Sequence, residues 1–480
     1  MIASLLVDAQ AVEAAGGRTF DRLNPMTGAV ATTAAAASLV DVETVVGAAA
    51  RAFVGWSQTG PNTRRGLLLK AADAMESHAE DFGRLVVEET GGTAPWAGFN
   101  VHLAAGMLRE AAALTTHITG QVIPADKPSV LAVTIRQPVG VVLGMAPWNA
   151  PVILATRAIA TPLACGNTVV LKCSELCPGT HRLIGQILND AGFPPGVVNV
   201  ISHTAEDAPD IVAALIAHPA VKRINFTGST RVGKIVAGLA AEHLKPVLLE
   251  LGGTSPFIVL DDADLDQAVA AAAFGAFLHQ GQICMSSDRF VVDETVADEF
   301  ATKLAAKAAA LPAGDPREHV ILGSMIDLPA AERMDALIAD AVAKGAKLLC
   351  GGHRSGTIVE ATVVDYVTPD MRLYQEESFG PVKPIVRVRG VDEAVRVAND
   401  TEYGLAAAVF GRDIQRALAV SKRIESGICH INGPTVADEA QMPFGGVKGS
   451  GYGRFGGEAV INEFTEFRWI TIEGEQRYPF

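Results

Sequence analysis

At 480 residues the chain exceeds what one hydrophobic core organises, so two or three domains are expected. Its 53 acidic against 39 basic side chains give a formal charge of -14, which argues against nucleic acid or an anionic membrane as partner, since neither attracts an acidic surface. Six irregularly spaced cysteines do not make a secreted disulfide framework, and 49% hydrophobic with 19% charged residues is an ordinary globular composition.

The opening "MIASLLVDAQ" lacks a basic region and Asp8 interrupts its apolar run, so no signal peptide is read and a cytoplasmic setting is expected. "RTFDRLNPMTGAV" (18–30) reads as strand with a turn at Asn24-Pro25 and Gly28. Helical periodicity covers 41–56, 61–90 and 96–116. Alternating β-branched residues with turns at Gly120 and Asp126–Pro128 then give a β-ribbon over 118–137, leading into a buried strand at 139–147. Strands at 167–173, 197–202, 223–229 and 246–253 alternate with helices at 151–165, 178–191, 206–217 and 231–242. Continuous Val/Ile/Leu strands between helices mean a parallel sheet covered on both faces, the doubly wound α/β class. The same rhythm restarts at 255 and runs to about 445, and "FTEFRWITIE" (464–473) alternates as an edge strand for the ribbon or for another subunit. The uncharged stretches 138–156 and 268–287 are too interrupted by proline and polar residues to span a membrane.

Several short stretches carry possible chemistry. "FTGSTRVGK" (226–234) is a strand end, a glycine turn and a helix start, where Gly228, Ser229 and Gly233 suit a pyrophosphate or simply a capped turn. "LKCSE" closes another strand, and Lys172 with Glu175 suits ribose hydroxyls or a solvated pair; a carboxylate there favours NAD over NADP. Glu250 ends the apolar strand "LLELGG", where burial raises a carboxyl pKa into the range of a useful base, although a solvent-edge glutamate fits too. Asn149 in "APWNAP" can donate to an oxyanion or cap the next helix. Cys284 lies in the polar, glycine-interrupted "HQGQICMSS", either a buried filler or a nucleophile. Cys173, Cys177 and His181 are spaced C-x3-C-x3-H, but three ligands across Pro178 make a poor zinc site, and no metal is expected. Cys165, Cys350 and Cys429 read as reduced structural thiols, and His430 as a core or loop histidine.

"NPMTG", "PWN", "FTGSTRVG", "LELGG", "GQIC", "EESFGPV" (376–382), "NDTEYGLAAAVF" (399–410) and "PFGGVKGSG" (443–451) occur in the order and spacing of the aldehyde dehydrogenase superfamily. The chain resembles the non-acylating, NAD(P)-linked members over essentially its whole length. The resemblance implies Cys284 as nucleophile, Glu250 as general base, and Asn149 with the Cys284 N–H as oxyanion hole. It puts Lys172 and Glu175 at the adenosine ribose, Ser229 at the pyrophosphate, Trp148 in the cofactor cleft, and Glu377 with Phe379 beside the nicotinamide ribose. It implies a dinucleotide-binding domain (1–117 and 138–250), a catalytic domain (251–447) and an oligomerisation ribbon (118–137 and 464–480), with NAD as cofactor in a homodimer or homotetramer.

For the substrate, Arg157 stands eight residues after Asn149, a little over two helical turns, so the two can share a face. Its guanidinium suits a phenolate or carboxylate on the substrate, or equally a subunit interface. Trp96, Trp148 and Phe444 are candidate aromatic walls, and small Ala150 leaves room for an ortho substituent. Trp96 and Arg157 beside Cys284 and Glu250 make the chain similar to the bacterial salicylaldehyde dehydrogenase branch of the family, with salicylaldehyde to salicylate as the implied reaction. Vanillin, benzaldehyde and succinate semialdehyde are alternatives within the family. A thiol esterase would use Cys284 but leave the nucleotide-like motifs idle, and a non-catalytic binding protein would leave Cys284, Glu250 and Asn149 idle together.

Overall fold

The computed structural model describes residues 2–475 and 478–480. Residues 1, 476 and 477, at the margins of the expected first domain and ribbon, lie outside the described residues.

Five strands form the parallel centre of an eight-stranded sheet: Val141–Met145, Thr168–Lys172, Val198–Ile201, Val221–Thr227 and Val247–Glu250. Numbered along the chain, their spatial order is third, second, first, fourth, fifth. The order reverses between Val141–Met145 and Val221–Thr227, and the carboxyl ends of strands beside such a reversal frame a crevice. Antiparallel Leu5–Val7 and Gln10–Val12 extend one edge, and Gly451–Tyr452 closes the other against Val247–Glu250. The N-terminal "LLV", passed over as an interrupted apolar run, is thus a buried sheet strand.

The second sheet has seven strands, in the order Lys347–Cys350, Thr362–Asp365, Val382–Val388, Ser287–Asp293, Ser255–Val259, Ala406–Phe410 and Ile428–Ile431. All its neighbours are parallel except the pairing of Lys347–Cys350 with Thr362–Asp365. Val, Ile and Phe side chains buried on both faces account for this arrangement.

One sequence expectation is extended and one revised. The turn expected at Asn24-Pro25 within 18–30 joins the strands Thr19–Leu23 and Val30–Ala35 as a hairpin, where Asn24 Oδ1 accepts from the backbone N–H of Met26 and Thr27 (3.0 Å each) and turns the chain. The helix expected over 61–90 is two, Pro61–Ser77 and Ala79–Thr90, divided at His78, whose backbone leaves the helical region.

Thr465–Glu473 pairs antiparallel with Val130–Pro138 over nine residues, which pairs in turn with Gln121–Ile123. The two alternatives for the C-terminal strand are thereby narrowed: within one chain it completes the ribbon. Among the described residues no helix is long and apolar enough to cross a membrane.

Candidate active site

The site lies where strand ends of the first sheet meet the chain entering Ser287–Asp293. Met145 runs into Pro147, Trp148 and Asn149, Thr227 into Gly228 and Ser229, and Val247–Glu250 ends on the glutamate itself. Leu251 N–H donates to Ser450 O (3.0 Å), and Ser450 Oγ donates to Gly252 O (2.6 Å). The "PFGGVKGSG" segment therefore fixes the backbone just after Glu250.

Cys284 sits in a tight turn closed by Ser286 N–H to Ile283 O (2.8 Å). Before it, His279, Gln280 and Gly281 take positive φ (49°, 56° and 71°), a conformation that costs non-glycine residues about 1–3 kcal/mol each. Polar anchors hold it: Gln280 Nε2 donates to Ser324 O (2.9 Å) and Gln282 Oε1 accepts from Ile326 N (3.0 Å). At Gly281 a Cβ would stand 2.3 Å from Gly380 O, so only glycine fits.

Asn149 Nδ2 donates to Gln282 O (2.9 Å), tying the amide to the cysteine loop. Trp96 Nε1–H donates to Asn149 O (3.0 Å), while its ring stacks on His279 with centroids 4.7 Å apart. Trp96, read from sequence as a wall, is also a clamp between the Asn149 turn and the cysteine loop. His279 and Gln282 were not singled out from sequence, because their contacts with Trp96, Asn149 and Ile326 join segments at least 44 residues apart.

Glu250 is buried, and neither carboxylate oxygen has a well-aligned protein partner, although the Cys284 thiol lies within interaction range. Burial pushes its pKa up to about 8, against an opposing pull from Arg157. Burial also holds the Cys284 thiol well above its ordinary range, and the neighbouring Glu250 and Glu377 carboxyls add to that. Glu377 Oε1 accepts from Gly253 N (2.9 Å), and burial raises this carboxyl to about 7.

Two cavities meet at the thiol. One, of ≈ 250 Å³, brings together the sequence-selected Trp148, Asn149, Gly228, Ser229, Glu250, Cys284, Glu377 and Phe379. Trp148 and Phe379 meet edge to face, with centroids 5.7 Å apart. The other, of ≈ 270 Å³, brings together Trp96, Asn149, Ala150, Arg157, Cys284 and Phe444. Asn149, Leu154 and Cys284 belong to both.

Some selected residues fall elsewhere. Lys172 and Glu175 line neither cavity and form their own 3.9 Å ion pair beyond Thr168–Lys172. Gly233 is buried in the helix Thr230–Glu242, where a Cβ would stand 2.5 Å from Leu251, so it serves packing rather than a phosphate cradle. Ser229 caps that helix, its Oγ accepting from Val232 N (3.4 Å). Arg157 is not a free anion receptor: it forms a buried ion pair with Asp438, and its guanidinium lies 4.3 Å from the Phe444 ring centre. Asp438 was missed because it stands 281 residues away on an irregular segment. Cys177 Sγ and His181 Nε2 are 3.4 Å apart, closer than the sequence reading required, yet among the described residues no group of three or more His, Cys, Asp or Glu could hold a metal ion.

Residues 11–470 match the family model described as "Aldehyde dehydrogenase family". The chain belongs to the aldehyde dehydrogenase family. It is 59% identical to a vanillin dehydrogenase of Pseudomonas fluorescens over 477 residues, 99% of each chain. It is 52% identical to a salicylaldehyde dehydrogenase of Pseudomonas putida over 483 residues, the full length of both. The crystal structure of a salicylaldehyde dehydrogenase from Pseudomonas putida G7, complexed with salicylaldehyde, is similar along all of both chains, with a TM-score of 0.98 and 51% identity.

Proposed function

We propose that this aldehyde dehydrogenase oxidises a hydroxylated aromatic aldehyde, salicylaldehyde first among them, to its carboxylic acid with NAD. The observation that carries this reading is a cavity walled by Trp96, Phe99 and Phe274 that ends on the Cys284 thiol, with a second cavity on the other side of that thiol. The similarity to the salicylaldehyde-bound structure supports it. Vanillin is the second reading, favoured by the 59% identity to the Pseudomonas fluorescens enzyme.

Cys284 is the nucleophile. Its proton leaves towards Glu250, its sulfur adds to the aldehyde carbon, and the carbonyl oxygen becomes an oxyanion. The Asn149 amide carries two N–H donors, one held by Gln282 O, and the other with the Cys284 N–H serves that oxyanion. A nicotinamide in the adjoining cavity, when bound, supplies the two-electron acceptor that turns the adduct into a Cys284 thioester. Glu250, once it has passed the thiol proton to solvent, takes a proton from water, which attacks the thioester carbon, and returns that proton to the departing Cys284 sulfur as the acid is released.

The residues present suit the dinucleotide. Gly228 and Ser229 open the helix Thr230–Glu242 at a strand end, a setting that favours a pyrophosphate, and Glu377 stands beside Phe379 and Trp148. Lys172 and Glu175 suit the adenosine ribose, and the Glu175 carboxylate would repel a 2′-phosphate, the basis for NAD over NADP. We assign the dinucleotide to the unit built on the eight-stranded sheet, catalysis to the seven-stranded unit, and self-association to the ribbon. The ribbon exposes Phe467 and Trp469 on one face and Val122 and Ile472 on the other, apolar surface suited to a second copy in a homodimer or homotetramer.

The test is NADH formation with salicylaldehyde, benzaldehyde, vanillin, succinate semialdehyde and hexanal, beside a Cys284→Ala control. Highest kcat/KM on salicylaldehyde, abolished in the control, is expected. Preference for succinate semialdehyde or hexanal would reject the aromatic assignment, and full activity in the control would reject the mechanism.

A further inference from the structure

The Arg157–Asp438 pair is buried in the wall of the ≈ 270 Å³ cavity, with the two side chains only 7% and 8% exposed. Asp438 Oδ2 takes the guanidinium, but Oδ1 is buried and has no hydrogen-bond partner. A buried acceptor left unsatisfied is costly, and Oδ1 is closed to water as it stands, so a ligand group in the adjoining cavity completes it once the carboxylate turns towards that cavity. The pair is neutral as a unit. Further acidic side chains stand around it: Glu439 in the same wall, Glu110 from the helix Ala94–Leu114 in the small cavity behind Arg157, and Glu250 within electrostatic reach. Such surroundings repel a phenolate or carboxylate and welcome an uncharged O–H donor.

We infer that Asp438 Oδ1 is the acceptor for a ring hydroxyl of the substrate, and that the Arg157–Asp438 pair selects neutral phenols over phenolates and carboxylated aldehydes. This rests on the aromatic-aldehyde reading and reverses the role first read for Arg157. The arginine orients the acceptor and is not itself the anion receptor.

The test compares benzaldehyde with its 2-, 3- and 4-hydroxy isomers on the full-length enzyme, taking kcat/KM ratios to benzaldehyde so that titration of Glu250 and Cys284 cancels. One isomer is expected to exceed benzaldehyde by about tenfold or more, because a site built to bind a hydroxyl discriminates against its absence. That margin should shrink as pH rises through the isomer's own phenol pKa. In an Arg157→Met, Asp438→Leu double variant, which replaces the pair by apolar bulk, the margin should fall to about one. In Asp438→Asn, which leaves the arginine charge uncompensated, the pH trend should reverse and the phenolate should be preferred. A wild-type margin that grows as the phenol ionises, or no margin for any isomer, would overturn the inference while leaving aldehyde oxidation intact. Failure of the wild type to oxidise any aromatic aldehyde would instead overturn the reading beneath it.

Discussion

Glu250 concentrates the conflict between stability and chemistry in one side chain. Its burial raises the folded carboxyl from 4.5 to about 8, so folding binds a proton that the unfolded chain releases. The sign follows directly: full stability is present below about pH 4.5 and is lost at about 1.4 kcal/mol per pH unit as pH rises towards 8. Glu250→Gln is therefore expected to gain about 1–3 kcal/mol over the wild type at pH 8 and almost nothing at pH 4, measured by denaturant unfolding. The same variant should lose turnover by about 100-fold or more and show no burst of NADH on rapid mixing, because both the Cys284 thiol and the attacking water give their protons to Glu250. Wild-type turnover should rise with pH through about 8, because only the ionised carboxylate accepts a proton. Glu250 could be put forward from sequence because a carboxylate and an apolar strand ending on it are adjacent, but a solvent-edge glutamate fitted as well, and the family resemblance carried by "LELGG" decided between them. Asp438 was not legible, since its importance arises from Arg157 and from an empty acceptor that only three-dimensional contact reveals.

The elements around the thiol are held in place by buried polar links. Lys383, fully buried in Val382–Val388, pairs with Asp288 of the neighbouring strand Ser287–Asp293 and reaches Ser286 Oγ (2.9 Å). Asp288 in turn accepts from Ser378 N and Ser378 Oγ (2.9 Å each), in the segment that carries Glu377 and Phe379. One ion pair thus joins the strand leaving Cys284 to the segment lining the ≈ 250 Å³ cavity. Removing one partner of a buried pair costs about 3–5 kcal/mol. Lys383→Met should lower the unfolding free energy by about that amount and raise the KM for NAD more than that for the aldehyde. An equal rise in both would disconnect the pair from the Glu377 segment. The central strands themselves were readable because hydrophobic continuity is local, with edges misplaced by only one to three residues, as at 246–253 against Val247–Glu250. The Asn24 turn was readable from its Asn-Pro and glycine signals, whereas the His78 break was missed because it rests on one side chain's bond to nearby backbone, which periodicity does not register.

At the scale of the molecule, the ribbon leaves Trp469 74% exposed and Phe467 55% exposed on a three-stranded sheet. An apolar sheet face of that kind is a liability alone and an asset against a second copy. Trp469→Asp should shift the mass measured by light scattering towards the monomer at micromolar concentration, and an unchanged assembly would locate the interface elsewhere. The alternation of 464–473 announced an edge strand but left its partner open; the family resemblance grouped it with the ribbon, and the structure shows the pairing with Val130–Pro138, some 330 residues earlier.

The meeting of two cavities at a single sulfur also governs traffic. The two cavities share Cys284, Asn149 and Leu154 and otherwise have walls of their own, so on the proposed assignment aldehyde and dinucleotide each have a separate chamber. Neither visitor has to leave for the other to arrive, so an inhibitor lodged in one chamber should be outcompeted by its own ligand alone and remain indifferent to the other.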